Sequence, residues 1–169
     1  MPAPLDHAQH RGWIESILRH IPGFKGYLEK EYRRDSDALL RSVLADDLQK
    51  CKPALDEYAK TLVAAAKLDG LAAIDALRPK LDKIIARIRG AMQGYSGMFD
   101  LVQIKVDLLQ RVYENDLKIT ELCEGTATTA AKLKTNLSDA DAVLADLKTR
   151  LDGIDQAWDH RTEMLKGLE

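Results

Sequence analysis

The C-terminal segment 138–168 has the most restrictive pattern in the sequence. Its stripe residues recur at alternating steps of four and three, and they are Ala140, Leu144, Leu147, Leu151, Ile154, Trp158, Arg161 and Leu165. This heptad spacing places all of these side chains on one face of an α-helix. A single helix cannot remove such a stripe from water, so the segment requires a partner helix.

The segment 107–134, just before it, has a second stripe with the same spacing. This stripe contains Leu109, Val112, Asp116, Ile119, Cys123, Thr126, Ala130, Leu133 and, in the following turn, Leu137. Asp107 with Gln110, and Ser138 with Asp141, have capping-box spacing and are expected to begin the two helices. Two heptad helices joined by a short turn predict an antiparallel coiled-coil hairpin.

The N-terminal half predicts two further long helices, over 26–69 and 71–92. The first has the stripe Leu44, Leu48, Cys51, Leu55, Tyr58, Leu62 and Ala65, and the second has Ile74, Leu77, Leu81, Ile84 and Ile88. The first stripe keeps its phase through Pro53, which favours one helix kinked there. Pro79 either kinks the second helix or lies in the first turn of a helix that begins near Leu77. Residues 98–106 fit an extended piece or a first helical turn equally well.

Residues 1–22 predict a short amphipathic helix that ends at Pro22 and Gly23. The whole chain contains 25 Leu and 21 Ala against 6 Val, a composition of helix formers. We therefore predict an all-α fold in which 1–169 is a single domain. The expected architecture is an elongated antiparallel four-helix bundle of coiled-coil hairpins with the short N-terminal amphipathic helix attached.

The charges are distributed unevenly along the chain. The net charge is −2, but residues 1–106 carry +3 and residues 107–169 carry −5, so the two parts are expected to pack against each other. Segment 71–93 holds the basic residues Arg78, Lys80, Lys83, Arg87 and Arg89. Such a helix could bind RNA or lipid, but internal pairing or plain solvation is the favoured interpretation, and nucleic acid is not an expected partner.

No catalytic, cofactor or metal motif is present in the sequence. It lacks paired Glu-x-x-His units, a Gly-Lys-Ser/Thr phosphate loop and a Gly-x-Ser-x-Gly elbow. Cys51 and Cys123 stand alone on apolar stripes, which predicts buried thiols. We therefore expect no enzyme activity and no cofactor. A cytoplasmic location is expected, because the N-terminus lacks a signal-peptide pattern and no long apolar run follows.

Asp116 is the candidate buried polar residue, because it occupies a stripe position between Val112 and Ile119. A lone buried carboxylate is costly, so it needs a partner or contact with water at the end of the stripe. Arg34 or Arg41 of the second long helix is the candidate partner. A structural ion pair that fixes helix register is favoured over a functional site.

Two short segments have a recognisable pattern. One is IPGxxGYxxKExRRxxD, which begins at Ile21, and the other is GYxGxFD, from Gly94 to Asp100. Together they resemble the signatures of an uncharacterised bacterial family of small all-helical proteins. The resemblance implies no activity, and it implies a link to membrane-associated scaffold proteins.

Two functions fit these observations. The first is a non-enzymatic interaction or assembly module whose partner is another protein or a second copy of the chain. The alternative is a peripheral membrane protein that docks through its N-terminal amphipathic helix. The candidate interaction surface for it is Trp13, Ile14, Ile17, Leu18, Arg19, Phe24 and Lys25. This same face could instead cover one end of the bundle, which is the favoured interpretation. A bundle that binds a small molecule or a metal has no supporting residues.

Overall fold

The computed structural model describes residues 4–91, 97–134 and 138–166, with the backbone alone for residues 4–10. This part of the chain is helical and contains no strand. The helices are α1 (Pro4–Leu18), α2 (Lys30–Gln49), α3 (Cys51–Ala64), α4 (Asp69–Arg89), α5 (Val106–Ala131) and α6 (Ala140–Lys166). Met98–Asp100 and Lys132–Lys134 form 3₁₀ turns. The predicted positions at 92, 94–96, Leu137 and 167–168 lie outside the described residues.

The heptad stripes form the core. Every stripe residue of α6 is buried, including Arg161, and so is every described stripe residue from Leu109 to Leu133. The α4 stripe is buried along its whole length, as is the α2–α3 stripe from Leu44 to Leu62. Ala65 is the exception, since it follows the last residue of α3 and is exposed.

The helices pack as two hairpins lying side by side. Helix α2 contacts α4 and α5, helix α4 also contacts α6, and α5 lies along α6. The α5–α6 pair is antiparallel, since Asn115 bonds to Ala157 while Thr129 bonds to Asp146. Lys80 pairs with Asp152 and Arg87 with Asp159, so α4 and α6 run in parallel. The sequence predicts an antiparallel four-helix bundle. Within the bundle α5 and α6 are antiparallel, whereas the neighbouring α4 and α6 are parallel.

The two internal prolines have different effects. The predicted single helix over 26–69 is divided, because α2 ends at Gln49 and α3 begins at Cys51. Pro53 has no N–H for the carbonyl of Gln49, and its ring crowds that oxygen, so the break falls just before the proline. Lys50 at the junction keeps helical angles, φ −62° and ψ −20°, which preserves the phase of the stripe. Helix α4, by contrast, continues through Pro79.

Helices α5 and α2 begin at other residues than the sequence predicts. Helix α5 begins at Val106 after the extended Lys105, without a side-chain cap. The predicted capping box at Asp107 is therefore wrong, and Gln110 instead donates a hydrogen bond to Glu114, 2.6 Å away. Helix α2 begins only at Lys30, because Gly26 has a φ of +87° that no continuing helix can accept. The ambiguous segment after residue 97 is a 3₁₀ turn followed by an extended Leu101.

Helix α3 ends in a left-handed residue that is not glycine. Ala66 has a φ of 55°, its N–H donates to Val63 O at 3.1 Å, and the N–H of Lys67 donates to Leu62 O at 2.9 Å. This Schellman arrangement favours glycine at the left-handed position, since an alanine Cβ is strained there.

We expect Ala66→Gly to raise the free energy of unfolding by about 1 kcal/mol, because it removes this strain. Chemical denaturation measures the change. Ala64→Gly, inside the last turn of α3, is the control and should lower stability by roughly 0.5–1 kcal/mol. Destabilisation by both substitutions would contradict the left-handed conformation of Ala66.

Candidate functional site

Asp116 lies at the centre of a buried polar network. Its side chain has no exposed surface, and it accepts hydrogen bonds from Tyr27 Oη at 2.5 Å and from Arg161 Nε at 2.6 Å. The sequence proposes Arg34 or Arg41 as the partner, and both assignments are wrong. Arg34 pairs with Asp100 at the surface, whereas Arg41 pairs with Asp37.

The network continues from Arg161 to a second ion pair. Arg161 Nη2 donates to Asp37 Oδ1 at 2.8 Å, and Arg41 Nε donates to the other oxygen of Asp37 at 2.8 Å. Arg41 also donates to the carbonyl of Arg89 at the end of α4. Two guanidinium groups thus balance two carboxylates, and the bonds join α2, α4, α5 and α6.

The pKa shifts in the network follow from burial and from the neighbouring charges. Burial raises the pKa of Asp116, and the positive charge of Arg161 only partly opposes this shift. Burial lowers the pKa of Arg161, but the charges of Asp116, Tyr27 and Asp37, with the hydrogen bond to Asp116, together outweigh it and the net shift is upward. Burial and the charge of Asp116 both raise the pKa of Tyr27. Tyr27 and Asp116 have no exposed surface, and Arg161 is 1% exposed.

Arg33 is a further buried cation, and its partners are backbone carbonyls. Its guanidinium donates to Tyr27 O at 2.7 Å, to Leu101 O at 2.6 Å, and to Met98 O and Leu28 O at 3.2 Å. Burial lowers the pKa of Arg33. The side chain therefore fixes the chain before α2 to the chain before α5.

The two resembling segments meet at this point. Arg33 and Arg34 of the first segment bind the backbone and the carboxylate of the second, and Lys30 Nζ donates to Asp100 O. Gly97 has a φ of +119°, and a Cβ there would lie 2.5 Å from Leu165 O. The described residues of the second pattern, 97–100, thus lie at a junction with the first.

The N-terminal surface candidates are divided by the structure. Ile17 and Phe24 are buried, Trp13 and Ile14 are half-buried against the core, and Leu18, Arg19 and Lys25 are exposed. Trp13 stacks on Tyr113 with the ring centroids 5.6 Å apart, and Tyr113 stacks on Tyr27. His20 Nδ1 lies 2.9 Å from a carboxylate oxygen of Glu124. The apolar face of α1 therefore lies against α5.

The basic residues of α4 are all paired. Lys80, Lys83 and Arg87 face α6 and contact Asp152, Asp155 and Asp159. Arg78 pairs with Asp56 and Asp75, and Arg89 pairs with Asp46. Along α4 and α6, the prediction that the two oppositely charged parts of the chain pack together is confirmed. The ion pairs also agree with the favoured interpretation of the basic residues of α4 as internally paired.

The large apolar side chains that remain exposed in the described residues lie mainly at two ends of the molecule. Leu68 is 68% exposed and lines an open hollow of about 680 Å³. Val63, which is 61% exposed, follows the lining residue Leu62 near the end of α3, and we call this region the hollow end. Leu101, Val102 and Val106 are exposed around the start of α5, and we call them the loop end. Leu18 on α1 is the remaining member.

The two ends lie on opposite sides of the molecule. The hollow is lined by the end of α3 and the starts of α4 and α6, including Tyr58, Asp69 and Ala140. The loop end follows Gly97 in the chain, and Gly97 packs closely against the backbone of Leu165 at the other end of α6. The 27 residues of α6 therefore separate the two ends by roughly 40 Å.

Other classes of site receive no support from the described residues. No group of three His, Cys, Asp or Glu side chains there could hold a metal ion. None of the helices in the described residues is long and apolar enough to cross a membrane. Comparisons with protein-family models, curated proteins and solved structures find no match to this chain.

Sequence reasoning locates Asp116 but misses its partners. Arg161 is visible as a charged residue on the α6 stripe, and pairing it with the opposite charge on the α5 stripe would have identified the buried pair. Asp37 carries a similar signal, because the stripe of the second long helix continues back from Leu44 through Arg41 to Asp37. Arg33 has none, because it lies one position away from the next step of that stripe.

Proposed function

We propose that this chain is a non-enzymatic interaction or assembly module whose two ends make the contacts. In this proposal an elongated four-helix bundle acts as a spacer between the ends. The observation that carries the proposal is the position of Val63 and Leu68 at one end and of Val102 at the other. Apolar side chains gathered on an otherwise polar surface are typical of contact sites.

The sides of the molecule are less suitable as contact surfaces. Along α4 and α6 the charges neutralise each other, for example Arg87 with Asp155 and Asp159. A partner that used this face would have to break intramolecular ion pairs and desolvate their charges. At the ends a partner breaks none of these ion pairs, and the large apolar side chains there already face water.

The interior polar groups support the same proposal. Asp116, Tyr27 and Arg161 bind one another in the core, and each is at most 1% exposed. We therefore assign the network to holding the four main helices in register, which keeps the two ends at a fixed separation.

Site-specific photo-crosslinking in the native host tests the proposal. A benzophenone amino acid is placed at Val102 or Leu68, and Gln156, which is exposed on the side of α6, is the control position. We expect discrete crosslinked products from the two end positions and none from Gln156. Products from Gln156 alone, or from no position, would contradict the proposal.

The membrane alternative requires α1 to leave α5, since Ile17 and Phe24 are buried. We expect Ile17→Ser to lower the free energy of unfolding by about 2–4 kcal/mol, because it removes a fully buried side chain from the core. Leu18→Ser, at the neighbouring exposed position, is the matched control and should change stability by less than about 0.5 kcal/mol.

Vesicle sedimentation completes this comparison. We expect the wild type to remain in the supernatant with vesicles that contain anionic lipid. The membrane alternative would be favoured by two results together. The wild type would bind the vesicles while both serine variants fail to bind, and the unfolding midpoint of Ile17→Ser would be unchanged.

A further inference from the structure

We propose that a groove between α4 and α6 binds a medium-chain aliphatic carboxylate. The aliphatic chain lies along the groove, and its carboxylate binds Lys80 and Lys148 at one end. Of its described lining residues, the groove shares only Asp141 with the hollow end. The inference therefore goes beyond the proposed function and does not depend on contacts at the two ends.

The groove has the size of a small ligand. It has a volume of about 290 Å³, and its lining residues lie between positions 73 and 80 of α4 and between 141 and 148 of α6. Seven residues of a helix rise by roughly 10 Å, which sets the length of the groove. A cavity of about 150 Å³ holds benzene, so this groove can take a ligand of about ten non-hydrogen atoms.

The surface of the groove is almost entirely apolar. Leu77 and Leu144 are its buried members, whereas Ala73, Ala76 and Ala145 are exposed along it. Because alanine side chains are short, the space beside the two leucines is left open. An aliphatic chain in this space removes the alanine methyl groups from water. These alanines are outside the heptad stripes, which is why the sequence does not indicate the groove.

Two ammonium groups share one carboxylate at the end of the groove. Lys80 and Lys148 line it and both pair with Asp152, whose Oδ2 lies 3.0 Å from Lys148 Nζ. Further along the two helices the charges balance, but this trio keeps one positive charge uncompensated within the described residues. An ammonium group has three N–H donors, so both lysines can bind a further carboxylate without releasing Asp152.

The opposite end of the groove carries a negative charge. Asp141 lines that end, two helical turns before Lys148, and it forms no ion pair within the described residues. A ligand carboxylate is repelled by Asp141 and attracted by the lysines. The ligand therefore binds in one direction, with its methyl end toward Asp141.

Titration of the full chain with octanoate, followed by the NMR shifts of the backbone amides, tests the inference. We expect shifts that saturate and that are confined to residues 73–80 and 141–152. 1-Octanol, which has the same length but no charge, should bind more weakly. Octylammonium should also bind more weakly than octanoate, because Asp141 is alone at its end whereas two lysines face a carboxylate.

Four variants separate the charge from the apolar surface. Lys148→Gln should weaken octanoate binding by roughly threefold to fivefold, as expected for one exposed ion pair, and should leave 1-octanol binding unchanged. Lys83→Gln, on α4 but outside the groove, is the matched control and should change neither affinity. Ala76→Phe fills the groove and should abolish binding of both ligands, whereas Ala72→Phe, at an exposed position outside the lining, should not. Unfolding midpoints close to that of the wild type check that the variants are folded.

Shifts that do not saturate, or that lie at the loop end, would overturn the inference. An unchanged affinity of Lys148→Gln for octanoate, or octylammonium that binds as tightly as octanoate, would also overturn it. Sedimentation with vesicles of anionic lipid, without binding of free octanoate, would assign the groove to a membrane surface instead. A discrete protein crosslink from a benzophenone at Ala145, again without octanoate binding, would assign it to a protein partner. Crosslinks from Val102 and Leu68 test the proposed function separately from all of these results.

Discussion

Arg161→Met should lower the free energy of unfolding by about 3–5 kcal/mol at pH 7, because it leaves a buried carboxylate without its partner. Arg161 is 1% exposed, and it is the residue that bonds to both Asp116 and Asp37. Methionine keeps much of the side-chain volume, so the loss reports mainly on the uncompensated charge. Urea unfolding at pH 7 measures it.

The penalty should shrink as the pH falls. Burial raises the pKa of Asp116, and removal of Arg161 takes away the charge that opposes this rise. A carboxyl group whose pKa is higher in the folded state contributes its full stability below its ordinary pKa of about 3.9, and that stability is lost as the pH rises through the raised value. The difference between the wild type and Arg161→Met should therefore be smaller at pH 4.5 than at pH 7.

Asp116→Asn is the matched control for this pH dependence. The amide keeps the shape of the carboxylate, but it removes the charge, so we expect a loss of about 2–3 kcal/mol that does not shrink on acidification. A neutral effect of Arg161→Met at pH 7, or a penalty that is equal at both pH values, would contradict a sealed charge network.

Leu151→Asp should lower the free energy of unfolding by about 4 kcal/mol or more. Leu151 is 2% exposed in the middle of the α6 stripe, so the change removes an apolar side chain from the core and buries a carboxylate that has no partner. Chemical denaturation measures the loss. Gln156→Asp, at an exposed position of the same helix, should stay within about 0.5 kcal/mol of the wild type, and similar losses for the two variants would refute the stripe assignment.

The sequence was sufficient to predict the helices and their buried faces. The spacing from Leu144 to Leu165 marks one face of α6, and the structure buries that face. Periodicity identifies which face of a helix is buried but not the direction of the helix that covers it, so the parallel orientation of α4 and α6 was not predicted. The opposite charges of the two parts of the chain did predict that they pack together, and Lys80 with Asp152 is one of the pairs that join them.

The ends were beyond sequence reasoning for a different reason. Val102 and Leu68 lie between helices, where no repeat distinguishes an exposed apolar side chain from a buried one. Arg33 was likewise missed, because its partners are backbone carbonyls and these carry no residue-type signal. The geometry of the turns determines where such groups lie, and a spacing pattern carries no information about turn geometry.

Amide hydrogen exchange of the purified chain, compared with the chain in the complex isolated from its native host, tests most directly whether the two ends are its contact surfaces. We expect residues 63–70 and 101–106 to become more protected in the complex, while the exposed sides of α4 and α6 stay unchanged. Protection that rises along the sides or on α1 while both ends stay unchanged would contradict the assignment.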